Sequence, residues 1–205
     1  MEETPEQVGK RWLGLLWERL RASAHREGLR EAAAGEDLAT WTTLMTAEVV
    51  GTCQAMGWVV AAKGHKLELL PQPGQEYLSL DAMAFAPPVG DAGGGWHWPV
   101  AVVELENKIS DERTGYSLWK VLNVIAALRV VVAYRRDWEA ANRLPGVLGE
   151  RVVRSMGMER WGSIEGEVLL VVGSRSEAAF PYDYFRFHRY DRGVGKFVKA
   201  DFSVE

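Results

Sequence analysis

Two carboxylates follow a strongly apolar segment near the middle of the chain. Residues 100–103 form a continuous apolar run, which is typical of a central, buried β-strand, and Glu104 and Glu106 come directly after it. Because side chains alternate between the two faces of a strand, Glu104, Glu106 and Lys108 share one face. Two carboxylates and an ammonium group therefore leave the core in a row.

A third carboxylate, Asp81, lies in the preceding strand-like segment, residues 77–85. If the two segments are neighbours in a sheet, Asp81 and Glu104 can converge. Buried carboxylates that are close together repel one another, and a divalent cation removes that conflict. Mg²⁺ prefers hard oxygen ligands, and Mn²⁺ suits the same kind of site. Such an ion activates water and stabilises the charge that develops on a cleaved phosphodiester.

A simpler interpretation is that these acids mark the points where strands enter solvent. In that case the protein is an unrelated α/β protein, and Asp81 and Glu104 point apart. Three features favour a site instead: the apolar run before Glu104, the position of Asp81 late in the preceding strand, and the helical pattern that follows. Residue types and spacing alone do not decide between the two interpretations.

The elements that must position these residues can be predicted from hydrophobic periodicity. Residues 38–56 form a helical pattern that ends at Gly57, and short strand-like segments follow at residues 58–62 and 66–69. Residues 115–128 predict a helix and residues 129–134 a buried strand, so residues 100–134 indicate a parallel strand–helix–strand crossover. The Pro- and Gly-rich residues 87–98 predict a loop between the two acidic strands.

The flanking segments extend this core on both sides. Residues 1–36 predict an N-terminal helical extension, in which Thr4 caps the first helix and Gln7 completes a capping box. Residues 135–205 predict a helix over 137–160 that breaks at Pro145, a strand over 167–172, and a hairpin from 184–190 and 196–202. The whole chain, 1–205, is expected to form a single domain.

The order helix, three strands, helix, strand, with acids on the second and third strands, resembles the PD-(D/E)xK superfamily of restriction-endonuclease-like nucleases. The resemblance covers residues 38–134. It implies an α/β fold with a mixed central sheet flanked by helices, to which this chain adds an N-terminal helix and a C-terminal hairpin. It also implies a Mg²⁺-dependent endonuclease, a hydrolase acting on DNA.

The resemblance also assigns roles to individual residues. Asp81 corresponds to the first acid and Glu104 to the second, with Glu106 in the lysine position, so that these three would hold the metal. A shifted register, Glu106-Asn107-Lys108, restores the literal motif. The chain departs from the family pattern where Leu80, and not proline, precedes Asp81.

Two further residues match positions that some members of the superfamily use. Glu48 corresponds to an acid on the first core helix and would position metal-bound water, and Lys120 corresponds to a lysine that has migrated to the following helix. Lys108 or Lys120 would assist at the phosphate. The imperfect motif leaves a second hypothesis open: a catalytically inactive member that serves as a nucleic-acid- or protein-binding module.

Composition sets limits on function. The chain has 205 residues and a net charge of −4, with a sequence pI of about 5.7, which argues mildly against a protein that coats DNA through non-specific phosphate contacts. Its single cysteine, Cys53, excludes an internal disulfide and argues against a structural zinc site. Residues 1–7 are polar and acidic, unlike a signal peptide, and no apolar run suits a membrane span. We expect a cytoplasmic protein without a membrane partner.

Residues 184–190 interleave aromatic and basic side chains, a pattern found in single-strand nucleic-acid sites and in ordinary half-buried strands. Arg186, Arg189 and Lys196 are the candidate nucleic-acid contacts, although an ordinary strand is the more common outcome. The segment from Gly193 to Lys196 lacks the spacing of a phosphate-binding loop and favours a hairpin turn. Cleavage of both strands of a duplex usually needs two active sites, so a homodimer is plausible.

Overall fold

A computed structural model describes residues 3–22, 24–88, 95–157, 165–175 and 180–202. Its longer helices are α1 (Pro5–Ala22), α2 (Arg26–Ala34), α3 (Leu38–Ala55), α4 (Asp111–Leu122) and α5 (Trp138–Leu148). Its strands are β1 (Val59–Ala62), β2 (Ala82–Phe85), β3 (Ala101–Glu106), β4 (Leu128–Arg135), β5 (Glu167–Ser174), β6 (Phe185–Asp191) and β7 (Lys196–Lys199). Shorter helical segments are Tyr77–Ser79, Gly149–Val153 and Arg154–Met156.

All seven strands form one mixed sheet in which they lie side by side in chain order. Strands β1 to β3 are antiparallel, β3 to β5 are parallel, and β5 to β7 are antiparallel again. The predicted α/β fold and the predicted parallel crossover, β3–α4–β4, are therefore confirmed. Every residue of β4 and β5 is buried, as expected for central strands that helices cover on both sides.

The helices divide between the two faces of the sheet. Helices α1, α2 and α3 cover one face, which we call the N-terminal face, where Met45 of α3 packs in the same apolar core as Val103 of β3. Helices α4 and α5 cover the other face, the α4 face, where Leu118 of α4 shares a core with Val102. Strand alternation therefore places Glu104 on the α4 face, because it has the same parity as Val102.

Polar caps explain where the helices begin. Thr4 and Gln7 form the predicted capping box, with the Thr4 amide 2.8 Å from Gln7 Oε1 and the Gln7 amide 3.3 Å from Thr4 Oγ1. Ser110 caps α4 by accepting the amide of Arg113 at 3.3 Å. This cap starts α4 at Asp111, before the predicted Gly115, and the helix ends at Leu122 because the chain then turns to enter β4.

Two other predicted elements differ in the structure. Residues 77–85 were expected to be one strand, but Tyr77–Ser79 form a turn in which Leu78 and Ser79 have φ values of 54° and 55°, and pairing with β1 starts only at Ala82. The predicted strand at 66–69 contributes only an isolated bridge between Leu67 and Gly74. Positive φ values are incompatible with a strand, so the backbone turns before β2 begins.

The C-terminal part keeps its predicted order with one correction. The predicted break at Pro145 is wrong: α5 runs through it to Leu148, since Leu144 and Leu148 are buried and their packing offsets one missing backbone hydrogen bond. The hairpin of β6 and β7 is confirmed. Residues 89–94 of the predicted loop and residues 158–160 of the predicted helix lie outside the described residues.

The N-terminal extension is helical, as predicted, and α1 packs against the sheet. A Cβ atom added to Gly9 would lie 2.7 Å from Cγ of Glu167 at the start of β5, so glycine permits a close approach there. Within the described residues, the helices are too short or too polar to cross a lipid bilayer.

Candidate functional site

Asp81 and Glu104 lie opposite one another where β2 meets β3. The last backbone pair joins Ala82 to Val103, and one further step in this register aligns Asp81 with Glu104. The side chain of Asp81 accepts the amide of Leu105 through Oδ2 at 2.7 Å, beyond the end of the paired segment. Side chains at directly opposite positions have Cβ atoms about 5 Å apart, so the two acids are neighbours as the sequence predicted.

Lys120, in the last turn of α4, contacts both β3 and the turn that precedes β2. Its Nζ donates to Oε1 of Glu104 at 2.7 Å and to the backbone carbonyl of Ser79 at 2.9 Å. The side chain of Glu104 is only 5% exposed and that of Lys120 is 20% exposed. The structure therefore brings together Asp81, Glu104 and Lys120, with one ammonium group beside two carboxylates.

The acids are in an environment that disfavours negative charge. Burial raises the pKa of Glu104, the hydrogen bond from Lys120 lowers it, and the nearby charge of Asp81 raises it again. Burial likewise raises the pKa of Asp81, while the hydrogen bond from Leu105 and the charge of Lys120 lower it. For both groups the net direction is upward, so one lysine does not fully compensate the cost of burying the pair.

The donor set fits a hard divalent cation. Mg²⁺ in proteins is commonly held by one or two carboxylates and water, and two carboxylates with raised pKa values gain most from a cation. Among the described residues, however, no group of three or more His, Cys, Asp or Glu side chains is arranged to hold a metal ion. Asp81 and Glu104 could therefore hold such an ion only with water or substrate oxygens completing its shell.

The contacts of Glu106 and Lys108 differ from those that the motif implied. Oε1 of Glu106 accepts the backbone amide of Lys108 at 2.8 Å, which closes a turn after β3. The charge of Glu106 still contributes to the raised pKa of Asp81, so it lies within electrostatic range of the site. Lys108 is exposed at the rim of the sheet.

Glu48 lies on the other side of the sheet. It belongs to α3, which covers the N-terminal face, whereas Glu104 faces α4. Its buried carboxylate pairs with Nε of Arg19 at 3.0 Å and with Nδ1 of His25 at 3.1 Å. The structure thus does not bring Glu48 to Asp81 and Glu104, and its partners come from the N-terminal extension.

The basic residues of the C-terminal hairpin are also separate from the acidic pair. The guanidinium of Arg186 lies 4.0 Å from the ring centroid of Trp138, and Arg189 pairs with Asp191 at 3.3 Å. Lys196 is exposed at the start of β7. Strand β6 lies three strands from β3, about 14 Å at the usual strand spacing. Within the described residues, these basic side chains therefore lie apart from Asp81 and Glu104.

An aromatic pair beside the site was not among the residues predicted from the sequence. Tyr116 and Trp119 of α4 are 56% and 47% exposed, and their rings stack with centroids 5.9 Å apart and planes inclined by 21°. Nζ of Lys120 lies 5.7 Å from the Tyr116 ring centroid. The available signal was their spacing, because residues three apart on a helix lie side by side and these two fall outside its apolar stripe.

The architecture and the geometry around Asp81, Glu104 and Lys120 are thus the basis for a functional proposal. Comparisons of the chain with protein-family models, with curated proteins and with solved structures found no match.

Proposed function

We propose that this protein is a metal-dependent nuclease that hydrolyses phosphodiester bonds of DNA. The observation that carries the proposal is the position of Asp81 and Glu104, aligned across β2 and β3, with raised pKa values and Lys120 beside them. Burying two neighbouring carboxylates costs free energy, and the packing of the sheet does not require it. Carboxylates with perturbed pKa values are concentrated at functional sites.

The arrangement of the core supports the same reaction class. Helix α3, strands β1 to β3, helix α4 and strand β4 follow the order helix, three strands, helix, strand, with an antiparallel meander and a parallel fourth strand. The PD-(D/E)xK nucleases place their acids on the second and third of these strands. In this chain Asp81 immediately precedes the second strand and Glu104 lies within the third.

The residues of the site have separable tasks. Bound Mg²⁺ or Mn²⁺ would supply a Lewis acid and lower the pKa of a bound water. The amide of Leu105 orients the carboxylate of Asp81, and Lys120 holds the side chain of Glu104. The ammonium of Lys120 also lies where it can balance negative charge that develops on a phosphate between the two acids. Glu106 adds negative charge at the rim.

The test uses substitutions that keep the hydrogen bonds. Asparagine at position 81 can still accept a hydrogen bond from the Leu105 amide, and glutamine at position 104 can still accept a hydrogen bond from Lys120. We expect Asp81→Asn and Glu104→Gln to lose about 100-fold or more of Mg²⁺- or Mn²⁺-dependent cleavage of plasmid and single-stranded DNA. Glu68→Gln, which changes an exposed carboxylate, is the matched control and should cleave like the wild type.

Cleavage that survives in both variants, or that persists in EDTA, would contradict the assignment. We propose further that the protein is a homodimer, which supplies two sites for cleavage of a duplex. Sedimentation of the wild type measures this oligomeric state.

A second candidate is a catalytically inactive module of the same architecture that binds nucleic acid or protein. The observation in its favour is that each acid already has a structural partner: Lys120 pairs with Glu104, and the Leu105 amide binds Asp81. Titration with Ca²⁺ or Mn²⁺ by calorimetry separates the two. Heat that disappears in Asp81→Asn supports a metal site, and its absence in the wild type supports the inactive module.

A further inference from the structure

We infer that Tyr116 and Trp119 form a base-stacking site that makes this protein prefer single-stranded nucleic acid over a duplex. This inference rests on the proposed function, because it names the form of substrate that would reach Asp81 and Glu104. It starts from two large aromatic side chains that are about half exposed although they belong to a helix with a complete apolar stripe. The two rings stack on one another, and about half of each side chain is exposed to solvent.

The aromatic pair and the acidic pair share one residue, Lys120. Its ammonium lies 5.7 Å from the centroid of the Tyr116 ring and 2.7 Å from Oε1 of Glu104. A nucleotide whose base stacks on these rings would therefore have its sugar–phosphate close to Lys120. Stacking on aromatic side chains is tolerant of sequence, since every base has a π face.

The charges around the rings suit a nucleic-acid strand better than an apolar protein partner. Arg113 is exposed one turn before Tyr116, and Lys120 follows one turn after it, so two cations flank the ring along one row of α4. Aromatic rings interleaved with cations are the usual composition of single-strand sites, with bases on the rings and phosphates on the cations. A protein interface of this kind would instead have few charges near its centre.

The turn before β2 forms the other side of this site. The Ser79 carbonyl accepts the Lys120 ammonium at 2.9 Å, and the neighbouring Leu78 is 72% exposed. Leu78 and Ser79 both adopt positive φ, a conformation that costs free energy for residues other than glycine and that occurs often at binding sites. Lys120 therefore links the turn that carries Leu78 to the helix that carries the stacked rings.

Duplex bases are stacked on one another, so their faces are not available to Tyr116 and Trp119. A single strand, or an unpaired end or loop, offers those faces without unstacking. The geometry thus predicts a preference between the two forms and not for a particular base.

The test measures binding without cleavage. In EDTA, a fluorescein-labelled oligo(dT) strand and a hairpin duplex of the same length are titrated with wild type, Tyr116→Leu and Trp119→Leu, each checked for an unchanged thermal unfolding midpoint. Leucine keeps the helix and the apolar character but removes the ring. We expect each substitution to weaken oligo(dT) binding about fivefold or more and to leave duplex binding unchanged. Trp96→Leu is the matched control, since Trp96 is 76% exposed and precedes the other end of β3.

Three results would overturn the inference: equal affinity of wild type for strand and hairpin, unchanged oligo(dT) binding in both ring variants, or a loss of self-association in the ring variants that accounts for weaker binding. Failure of the nuclease proposal is distinguishable from these. Binding that depends on the rings without any metal-dependent cleavage would refute the nuclease and leave the stacking site intact. Metal-dependent cleavage together with unchanged oligo(dT) binding in both ring variants would refute the stacking site and leave the nuclease proposal intact.

Discussion

Glu104 is the residue at which burial and charge conflict most directly. Its side chain is 5% exposed, and its one ion-pair partner, Lys120, is itself mostly buried. Burial raises its pKa more than the lysine lowers it, and the charge of Asp81 acts in the same direction as burial. The ionised form of Glu104 therefore destabilises the folded protein relative to its protonated form, unless a further cation is present.

The first prediction concerns the pH dependence of stability. A carboxyl group with a raised folded-state pKa contributes stability that is complete below its ordinary value of 4.5 and is lost as pH rises through the folded-state pKa. Glu104→Gln cannot lose a proton. We therefore expect the free energy of unfolding of the variant to increase relative to that of wild type as pH rises above about 4.5, measured by urea denaturation.

Glu112 provides a control of opposite sign. Hydrogen bonds lower the pKa of its exposed carboxyl group, so its contribution is present at neutral pH and is lost as pH falls. Glu112→Gln should thus lose stability relative to wild type as pH rises toward about 4.5, which lies below the range in which Glu104 acts. If both variants change in the same direction, the burial argument for Glu104 is wrong.

The second prediction concerns strain at Leu78. This residue has a φ of 54° and an exposed side chain, so its conformation costs free energy without a compensating apolar contact of comparable size. Asparagine tolerates this region of backbone space far better than leucine. We expect Leu78→Asn to raise the free energy of unfolding by about 0.5–1 kcal/mol, measured by chemical denaturation.

The control for this strain is Ile125→Asn. Ile125 is 66% exposed and is not among the residues with positive φ, so the same change should give no stabilisation there. Equal stabilisation at both positions would attribute the effect to removal of exposed apolar surface and not to the backbone.

At the residue scale, strand alternation indicated that Asp81 and Glu104 converge if their strands are neighbours, and the pairing of β2 with β3 meets that condition. Lys120 was also named in advance, from the resemblance, as a lysine that has migrated to the helix after the third strand. The partners of Glu48 could not be predicted, because periodicity does not reveal which of several helices covers a given position. The hydrogen bond of Glu106 to the Lys108 amide depends on a turn for which the sequence carries no distinctive signal.

At the scale of elements, α1 and α3 meet where Gly51 leaves room for Arg19. A Cβ atom on Gly51 would overlap the guanidinium group of Arg19, whose Nε lies 3.0 Å from the buried carboxylate of Glu48. The absence of a side chain at one position of α3 therefore allows a cation from α1 to reach a buried acid.

The third prediction tests this packing. Replacing glycine by alanine within a helix usually stabilises it by about 0.5–1 kcal/mol, and we expect that gain for Gly14→Ala, where no atom lies within 4 Å of the new Cβ. We expect Gly51→Ala instead to lower the free energy of unfolding by about 1 kcal/mol or more, because Arg19 must leave Glu48. Parallel thermal denaturation of the two variants measures the difference, and stabilisation by both would show that Arg19 contributes little.

Element order was predictable and element ends were less so. The apolar stripe of α4 has the period of a helix, and the continuous apolar runs of β3 and β4 are typical of buried strands. Together these patterns indicated the crossover. The start of α4 depended on Ser110, a cap whose role emerges only when its hydroxyl meets an amide. The turn at Leu78 was missed, since apolar residues such as leucine give no indication of positive φ.

At the scale of the whole molecule, charge does not favour nucleic acid. The net charge is −4, so any binding must come from a few local contacts and not from a general attraction. If the single-strand site uses stacking together with Arg113 and Lys120, few phosphates are neutralised and few counterions are released.

The fourth prediction follows from that count of phosphates. Two contacts correspond to a slope of about −1.4 in a plot of log affinity for oligo(dT) against log salt concentration, measured by fluorescence anisotropy in EDTA. Arg113→Gln should reduce the magnitude of the slope by about 0.7. A slope several times steeper would indicate a long basic track, such as one that includes Arg186 and Lys196, and would argue against stacking as the main contribution.

The order of the strands has a consequence for how this protein is made. Each strand after β1 pairs with the strand synthesised just before it, so the sheet can grow strand by strand while the chain leaves the ribosome. Helix α1 is the exception, since Gly9 rests against Glu167 of β5. Helix α1 can pack on α3 early, but its contact with β5 must wait until β5 has been translated. Until then the surface of α1 that will meet the sheet is a natural target for a chaperone.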